Sequence, residues 1–466
     1  MVPDWCTALL LQCIWIAAAG LEFSMVFGAF AKSTVWLLVG TFCLAGAITK
    51  TGLLRRISLK LMQFFPSTYR GQVSAMLCVG TTIMLGQALG AGKKRQAGQI
   101  IGNSITLFAL IAAGMTAVML VFAEQAAALL HAPEEAFDAT VRYIRICSAG
   151  AVFIVAYNVL GSIFRGLGDS KTPLMTVGFA CVFNIIGDLL FVAVLDMAAA
   201  GAALATVLAQ AFSVVLCLAV LKRRGGLPVQ FEKKHLRLRR RIGGHVVKLG
   251  FPVALQEGLV GISFLVIAAI VNSLGVIPSA GVGVAEKVCS FIMLVPSSFS
   301  QSLSAFVAQN IGAGKPDRAR KAMACGMGAS LAVGVVMFSI TFFRGDLLAG
   351  IFSSDHAVVM AGFEYLKSYA IDTLLVAFLF CFIGYFNGCG HTTLVMVQGI
   401  VGAFCVRIPV SFLMSHLEPV SLFKIGLATP CSTIVQILIC GAYFMILLRR
   451  ERKMGGRTEN VPQDEK

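Results

Sequence analysis

Seven residues that close one long apolar run have a counterpart at the close of another. Gln87-Ala88-Leu89-Gly90-Ala91-Gly92-Lys93 comes first, and Gln309-Asn310-Ile311-Gly312-Ala313-Gly314-Lys315 follows 222 residues later. The glycine pair lets the backbone leave one helix and turn tightly into the next. The lysine suits a helix C-terminus and the cytoplasmic rim of a membrane. Two copies call for a test of the whole chain at the same offset. Tyr143 then falls on Tyr365, and Phe164-Arg165-Gly166-Leu167-Gly168 falls on Phe386-Asn387-Gly388-Cys389-Gly390. The chain is therefore expected to fold as two halves of like build. Both loops are basic and basic loops stay inside, so the halves share one orientation.

The material between these motifs sets the solvent. Uncharged apolar runs at 97–123, 197–221, 258–285 and 322–343 each exceed the roughly 20 residues that cross a bilayer as helix. The chain is 58% hydrophobic and 13% charged, with mean hydropathy +0.86, which fits a polytopic helical membrane protein and not a soluble domain. Spans are predicted at about 5–21, 34–48, 72–92, 97–122, 141–164, 172–195, 198–221, 246–271, 282–310, 322–343, 363–388, 393–414 and 423–448. The segment Lys50-Thr51-Gly52-Leu53-Leu54-Arg55-Arg56-Ile57-Ser58-Leu59-Lys60-Leu61-Met62 carries apolar residues at helical spacing and cations between them, so it is expected to lie on the membrane surface.

A net charge of +16 could suggest nucleic acid. The cations, however, lie in short loops at 93–95, 165–171, 222–241, 315–321 and 449–453, each separated by an even number of spans. That is the positive-inside pattern of a multi-pass plasma membrane protein, here expected in a bacterial inner membrane, and no nucleic-acid partner is expected. Fourteen cysteines are scattered singly and read as small apolar residues, neither disulfides nor metal ligands. No nucleophile–base pair or cofactor motif stands out, so an enzyme is not expected.

The front of the chain breaks the pattern. Cations at 50–70 and at 93–95 flank one uncharged stretch, 72–92. A single span cannot leave both ends in the cytoplasm, so either the first group is forced outward or the stretch is re-entrant. The internal repeat also starts only near Thr81.

From about Thr81 to Arg450 the chain resembles the MATE family, the multidrug and toxic compound extrusion transporters. The resemblance rests on Gly86 through Lys93, on Arg165-Gly166-Leu167-Gly168-Asp169-Ser170-Lys171-Thr172-Pro173, on Phe251-Pro252-Val253-Ala254-Leu255-Gln256 and on Ala308 through Lys315. It implies two pseudo-symmetric helical bundles around a central cavity, and export of organic cations or other amphiphiles in exchange for H⁺ or Na⁺. Ser33-Thr34-Val35-Trp36-Leu37-Leu38-Val39-Gly40-Thr41-Phe42 and Ile48 through Ile57 instead resemble the N-terminal region of divalent anion:sodium symporters. The expected organisation is thus a foreign segment at 1–80, a first bundle at 81–221 lacking its first helix, a basic linker at 222–245, a second bundle at 246–448 and a polar tail at 449–466. A non-transporting remnant and a lipid-carrier flippase of related build are the alternatives, and a monomer is expected.

Carboxylates inside spans carry the chemistry of such a protein, because a charge at the bilayer centre costs about 2.5–3.5 kcal/mol and so faces a cavity or a partner. Asp188 lies four residues beyond Asn184 on one helix face, and Thr206 in the next span could approach it. The family resemblance implies a cation-coupling role for this trio; a hydrogen bond within the bundle is the plainer reading. Gln256, Glu257 and Asp372 are the second-bundle candidates, with Asp372 placed in the outer half of its span. Glu286-Lys287 is expected to anchor a helix end. Phe291, Met293, Phe299 and Phe306 are expected along one span, as cavity lining or as packing.

Overall fold

A computed structural model of the chain describes residues 67–129 and 134–458. The expected spans at 5–21 and 34–48, the surface segment at 50–62 and residues 459–466 lie outside the described residues.

The described chain is helical, with no strand. The helices are α1 (Ser67–Gly90), α2 (Lys94–Val121), α3 (Ala123–Leu129), α4 (Glu134–Ala149), α5 (Ala151–Gly166), α6 (Lys171–Asp188) and α7 (Ala198–Arg223). After a basic linker come α8 (Arg240–Asn272), α9 (Val276–Ile292), α10 (Leu294–Gly312), α11 (Pro316–Gly350) and α12 (His356–Cys389). The chain closes with α13 (Thr392–Ile400), α14 (Ile408–His416), α15 (Leu422–Gly426) and α16 (Ala428–Thr458). Nine described helices are long and apolar enough to cross a membrane, and the pair α4–α5, bent by 41° at Gly150, makes a tenth. These ten match the spans expected from residue 97 onward. The last helix continues to Thr458, into the stretch expected to be a polar tail.

The chain forms two compact units. The first runs through Gly258 and includes Ala308–Lys315; the second holds Leu259–Val307 and everything from Pro316. The first unit packs Leu85, Ile100, Phe108, Val155 and Ile163 into its core. The second packs Ile267, Val282, Val288, Tyr365, Leu366 and Ile425. Apolar side chains also point outward: Leu174 is 73% exposed and Phe343 66%. In water such surfaces would aggregate; in lipid they are the contact surface. One span differs from the rest. In α12, 61% of the apolar window is buried, against 17–44% in the other spans, which makes α12 the hub of the second unit.

The duplicated motif folds the same way twice. Ala91, Gly92 and Lys93 donate backbone N–H bonds to the carbonyls of Gln87, Leu89 and Ala88, at 3.0, 2.9 and 2.9 Å. Ala313, Gly314 and Lys315 repeat the pattern onto Gln309, Ile311 and Asn310, at 3.0, 3.1 and 2.9 Å. Gly92 has φ 71° and Gly314 φ 68°, the left-handed region that only glycine enters freely. Within the first unit the two copies cross each other. A methyl group on Gly90 would meet the Gln309 carbonyl oxygen at 1.9 Å, and one on Gly312 would meet that of Gln87 at 2.1 Å. The repeated glycine therefore turns each chain and lets the two chains touch.

Candidate functional site

In the first unit, Asn184 is buried near the end of α6 and Asp188 is half-buried at its last residue. The helix then loosens into a π-helical stretch, Leu189–Val194, a feature that often marks a functional position. Gly187 meets Ala205 of α7: a methyl group on it would stand 3.1 Å from the Ala205 Cβ. That crossing sets Asp188 and Thr206, the neighbours of these two residues, at the same level on adjacent helices. The Asn184 Nδ2 is buried and has no hydrogen-bond partner among the described residues. Asn184 and Asp188 thus lie on α6, and Thr206 on the helix that crosses it.

Gln256 and Glu257 lie on α8, which passes from the first unit into the second at Gly258. Its first turns pack closely on α1: a methyl group on Gly80 would meet the Val246 carbonyl oxygen at 2.2 Å. Gln256 is buried. Glu257 is exposed.

The second unit holds the densest set of polar groups. Asp372 is 1% exposed and stands at the middle of α12, not in the outer half of a span. The sequence reading began this span at 363, whereas the helix begins at His356. The Asp372 carboxylate lies near the Thr433 hydroxyl of α16, which donates to the Thr429 carbonyl at 3.1 Å, and within electrostatic reach of Arg407; its Oδ1 has no hydrogen-bond partner among the described residues. Arg407 is 5% exposed. Its Nη1 donates to the Ser263 Oγ at 3.0 Å, and its guanidinium lies 4.5 Å from the centre of the Phe264 ring. Tyr365, 1% exposed, and Tyr369, 5% exposed, stand within reach of both Asp372 and Arg407. Glu286 joins the same neighbourhood through Tyr365 and Cys289.

One further expectation is corrected here. Glu286 lies inside α9 (Val276–Ile292) and does not anchor a helix end. Phe291, Met293, Phe299 and Phe306 lie along one span, Val276–Gly312, as expected, with a loosened turn at Met293 between α9 and α10.

Arg407 is not among the candidates read from the sequence, none of which is a cation. Its signal was present: a cation inside an apolar span carries the same desolvation cost as a carboxylate. A π-helical stretch, Val401–Arg407, delivers it. Pro409 in the next turn has no N–H to give to the helix ladder, and the widened turn absorbs that loss. A methyl group on Gly402 would lie 2.0 Å from the Gln436 Nε2 and would have to displace that side chain, while the Ser432 hydroxyl of α16 donates to the Gly402 carbonyl at 2.8 Å.

Comparison with known proteins places this arrangement. A family model described as MatE matches residues 61–190 and 252–413. The probable multidrug resistance protein YoeA of Bacillus subtilis is 24% identical over 382 residues, which is 80% of this chain and 82% of that protein. An FAD transporter of Shewanella oneidensis is 26% identical over 298 residues, 63% of this chain and 64% of that one. A crystal structure of a MATE in complex with MaL6 superimposes with TM-score 0.80 at 18% identity, covering 90% of this chain and 93% of that chain.

Proposed function

The chain belongs to the MATE family of multidrug efflux transporters, and on that footing we propose that it exports amphiphilic organic cations in exchange for protons, as a monomer. The observation that carries the reading is Asp372: an acid buried mid-helix beside a hydroxyl and a guanidinium. Burial opposes a carboxylate's charge while a nearby cation favours it. A small change in water access therefore tips the group between holding and releasing a proton. The guanidinium also speaks for H⁺ over Na⁺, because a second cation beside Arg407 would meet its charge. One proton entering through 100 mV supplies about 2.3 kcal/mol, and a monovalent cation leaving in exchange costs the same, so one-for-one export is driven by the pH difference, while a second proton per cycle would add a gradient of roughly forty-fold. Asp188, Asn184 and Thr206 form a second proton-handling position in the first unit.

The test is ethidium accumulation in a pump-deficient host. Expression lowers accumulation, Asp372→Asn and Asp188→Asn each abolish the effect, and replacing Na⁺ by K⁺ leaves it intact. Unchanged accumulation with the protein inserted in the membrane would instead support the remnant reading. Arg407 favours a second substrate class, anionic aromatic compounds of the kind the Shewanella relative is named for; export of FAD in the same host measures it.

The symporter-like residues end at Ile57 and the family match begins at 61. Helix α1 also runs unbroken through residue 81. We place the change of origin between these two limits, about twenty residues earlier than the repeat alone suggests. Sequencing genomic DNA across codons 55–65 tests it: continuous reading sets the graft in the gene, and a discontinuity removes it.

A further inference from the structure

The most concentrated charge in the first unit lies outside the candidate site. A cavity of about 1060 Å³ opens at the end of the unit where α1 turns into α2 and α8 begins. Six basic residues line it: Lys93, Lys94, Arg95, Arg239, Arg241 and His245. No carboxylate is among its lining residues, and Gln99 and Gln230 add amide groups.

This convergence is built into the fold. The linker that carries Arg239 is stapled along α2. A methyl group on Gly98 would meet the Gln230 carbonyl oxygen at 2.0 Å, and one on Gly102 would meet that of His235 at 2.3 Å. Asn103 completes the staple: its Nδ2 donates to the Arg237 carbonyl at 3.1 Å, and its Oδ1 accepts from the Arg239 N–H at 3.0 Å. Glu232, the linker acid within reach of Arg95, is already engaged. It pairs with Lys234 at 2.5 Å and caps the turn Lys233–Leu236 together with His235. The fold thus holds like charges across one cavity and commits the nearest acid elsewhere. The N-termini of α2 and α8, at Lys94 and Arg240, add the positive ends of two long helices. The position-specific loop charge also marks this end as cytoplasmic.

We propose that this cavity binds a phosphate-bearing anion at the cytoplasmic end of the first unit. Two sources share that chemistry: the phosphodiester headgroup of an anionic inner-leaflet lipid and a soluble polyphosphate. The site is independent of the transport reading, since none of its residues belongs to the carboxylate positions above.

The test uses the purified full chain in a nonionic detergent, with cardiolipin and sodium tripolyphosphate as separate probes and phosphatidylcholine as the neutral control. Native mass spectrometry reads occupancy, and thermal stability reads the linked shift. Binding of cardiolipin alone assigns the site to a lipid, binding of tripolyphosphate alone to a soluble ligand, and binding of both to the shared phosphate; each supports the proposal. Arg239→Gln with Arg241→Gln then weakens the bound probe by about twenty-five-fold, from roughly fivefold per lost cation. Lys94→Gln with Arg95→Gln does the same from the other wall. Arg318→Gln with Lys321→Gln removes equal charge beyond the second motif copy, outside the cavity, and leaves affinity unchanged. Failure of both probes to bind, or equal loss in all three double variants, overturns the site.

Discussion

Gly150 and Asp372 occupy the same position in the two halves, 222 residues apart. In the first half this position is the break between α4 and α5, and the chain bends there by 41°. A methyl group on Gly150 would strike the Val207 Cγ2 of α7 at 2.2 Å. In the second half α12 runs on without a break, and Asp372 lies near Thr433 of α16. The offset sets α7 opposite α16, with Val207 on Thr429, one helical turn from Thr433. One crossing is thus apolar and bent in one half, polar and continuous in the other. The trade also runs the other way. Asn184, Asp188 and Thr206 correspond to Val406, Val410 and Ala428. Duplication kept the backbone and moved the titratable groups to different helix pairs.

The largest effect should come from the polar version of that crossing. Asp372 and Arg407 are both buried and attract each other at a distance longer than an ion pair, so Asp372→Asn should destabilise the protein by about 3 kcal/mol, and Asp372→Asn with Arg407→Met should lose less than the sum of the two single losses. Thermal melting of the single and double variants measures the coupling, and additive losses would deny that the two charges are a pair. The apolar version should be sensitive to bulk: Gly150→Ala should cost about 1–3 kcal/mol through its clash with Val207.

Symmetry itself is tested at the crossing motifs. Gly90→Ala and Gly312→Ala each drive a methyl group into a backbone carbonyl, so each should cost about 1–3 kcal/mol or more. Unequal losses in folded yield would show that the reciprocal contact is not shared evenly.

Smaller effects sharpen a third pair, Asp169 and His391, again 222 apart. Asp169 accepts N–H bonds from Lys171 and Thr172 at 3.1 and 3.0 Å and caps α6, so Asp169→Ala should cost about 1 kcal/mol. Burial opposes its charge, yet hydrogen bonds from Thr172 and the Arg224 guanidinium outweigh that and hold its carboxyl below the usual 3.8. Its contribution is therefore complete above that value and is lost as pH falls through the folded value. Burial lowers the His391 imidazole below its usual 6.5, so the fold holds the neutral ring. Its contribution is complete above pH 6.5 and declines below it. Melting temperatures of Asp169→Ala and His391→Gln against pH should separate the two windows. Tyr443→Phe removes the 3.2 Å contact with His391 and should cost least, about 0.5–1.5 kcal/mol.

Much of this was legible in the chain. The spans from residue 97 onward, the two halves and the turns at Lys93 and Lys315 depend on hydropathy and glycine chemistry within a few residues, and those signals are local. The depth of Asp372 was not legible. Glu364 and Lys367 hid the first turns of α12, because the reading could not see that Ser421 donates to Glu364 at 2.5 Å and that Lys367 lies 4.4 Å from the centre of the Phe363 ring. Arg407 was visible as a charge but not as a partner, since Ser263 lies 144 residues away in the chain.

The amino-acid sequence alone fixes a helical membrane protein built as two related halves, because run length, loop charge and repeated glycines act at short range. Which acids are buried, and what stands beside each, was decided only when distant helices packed. Desolvation and charge pairing depend on neighbours in space, and the 222-residue repeat does not encode them.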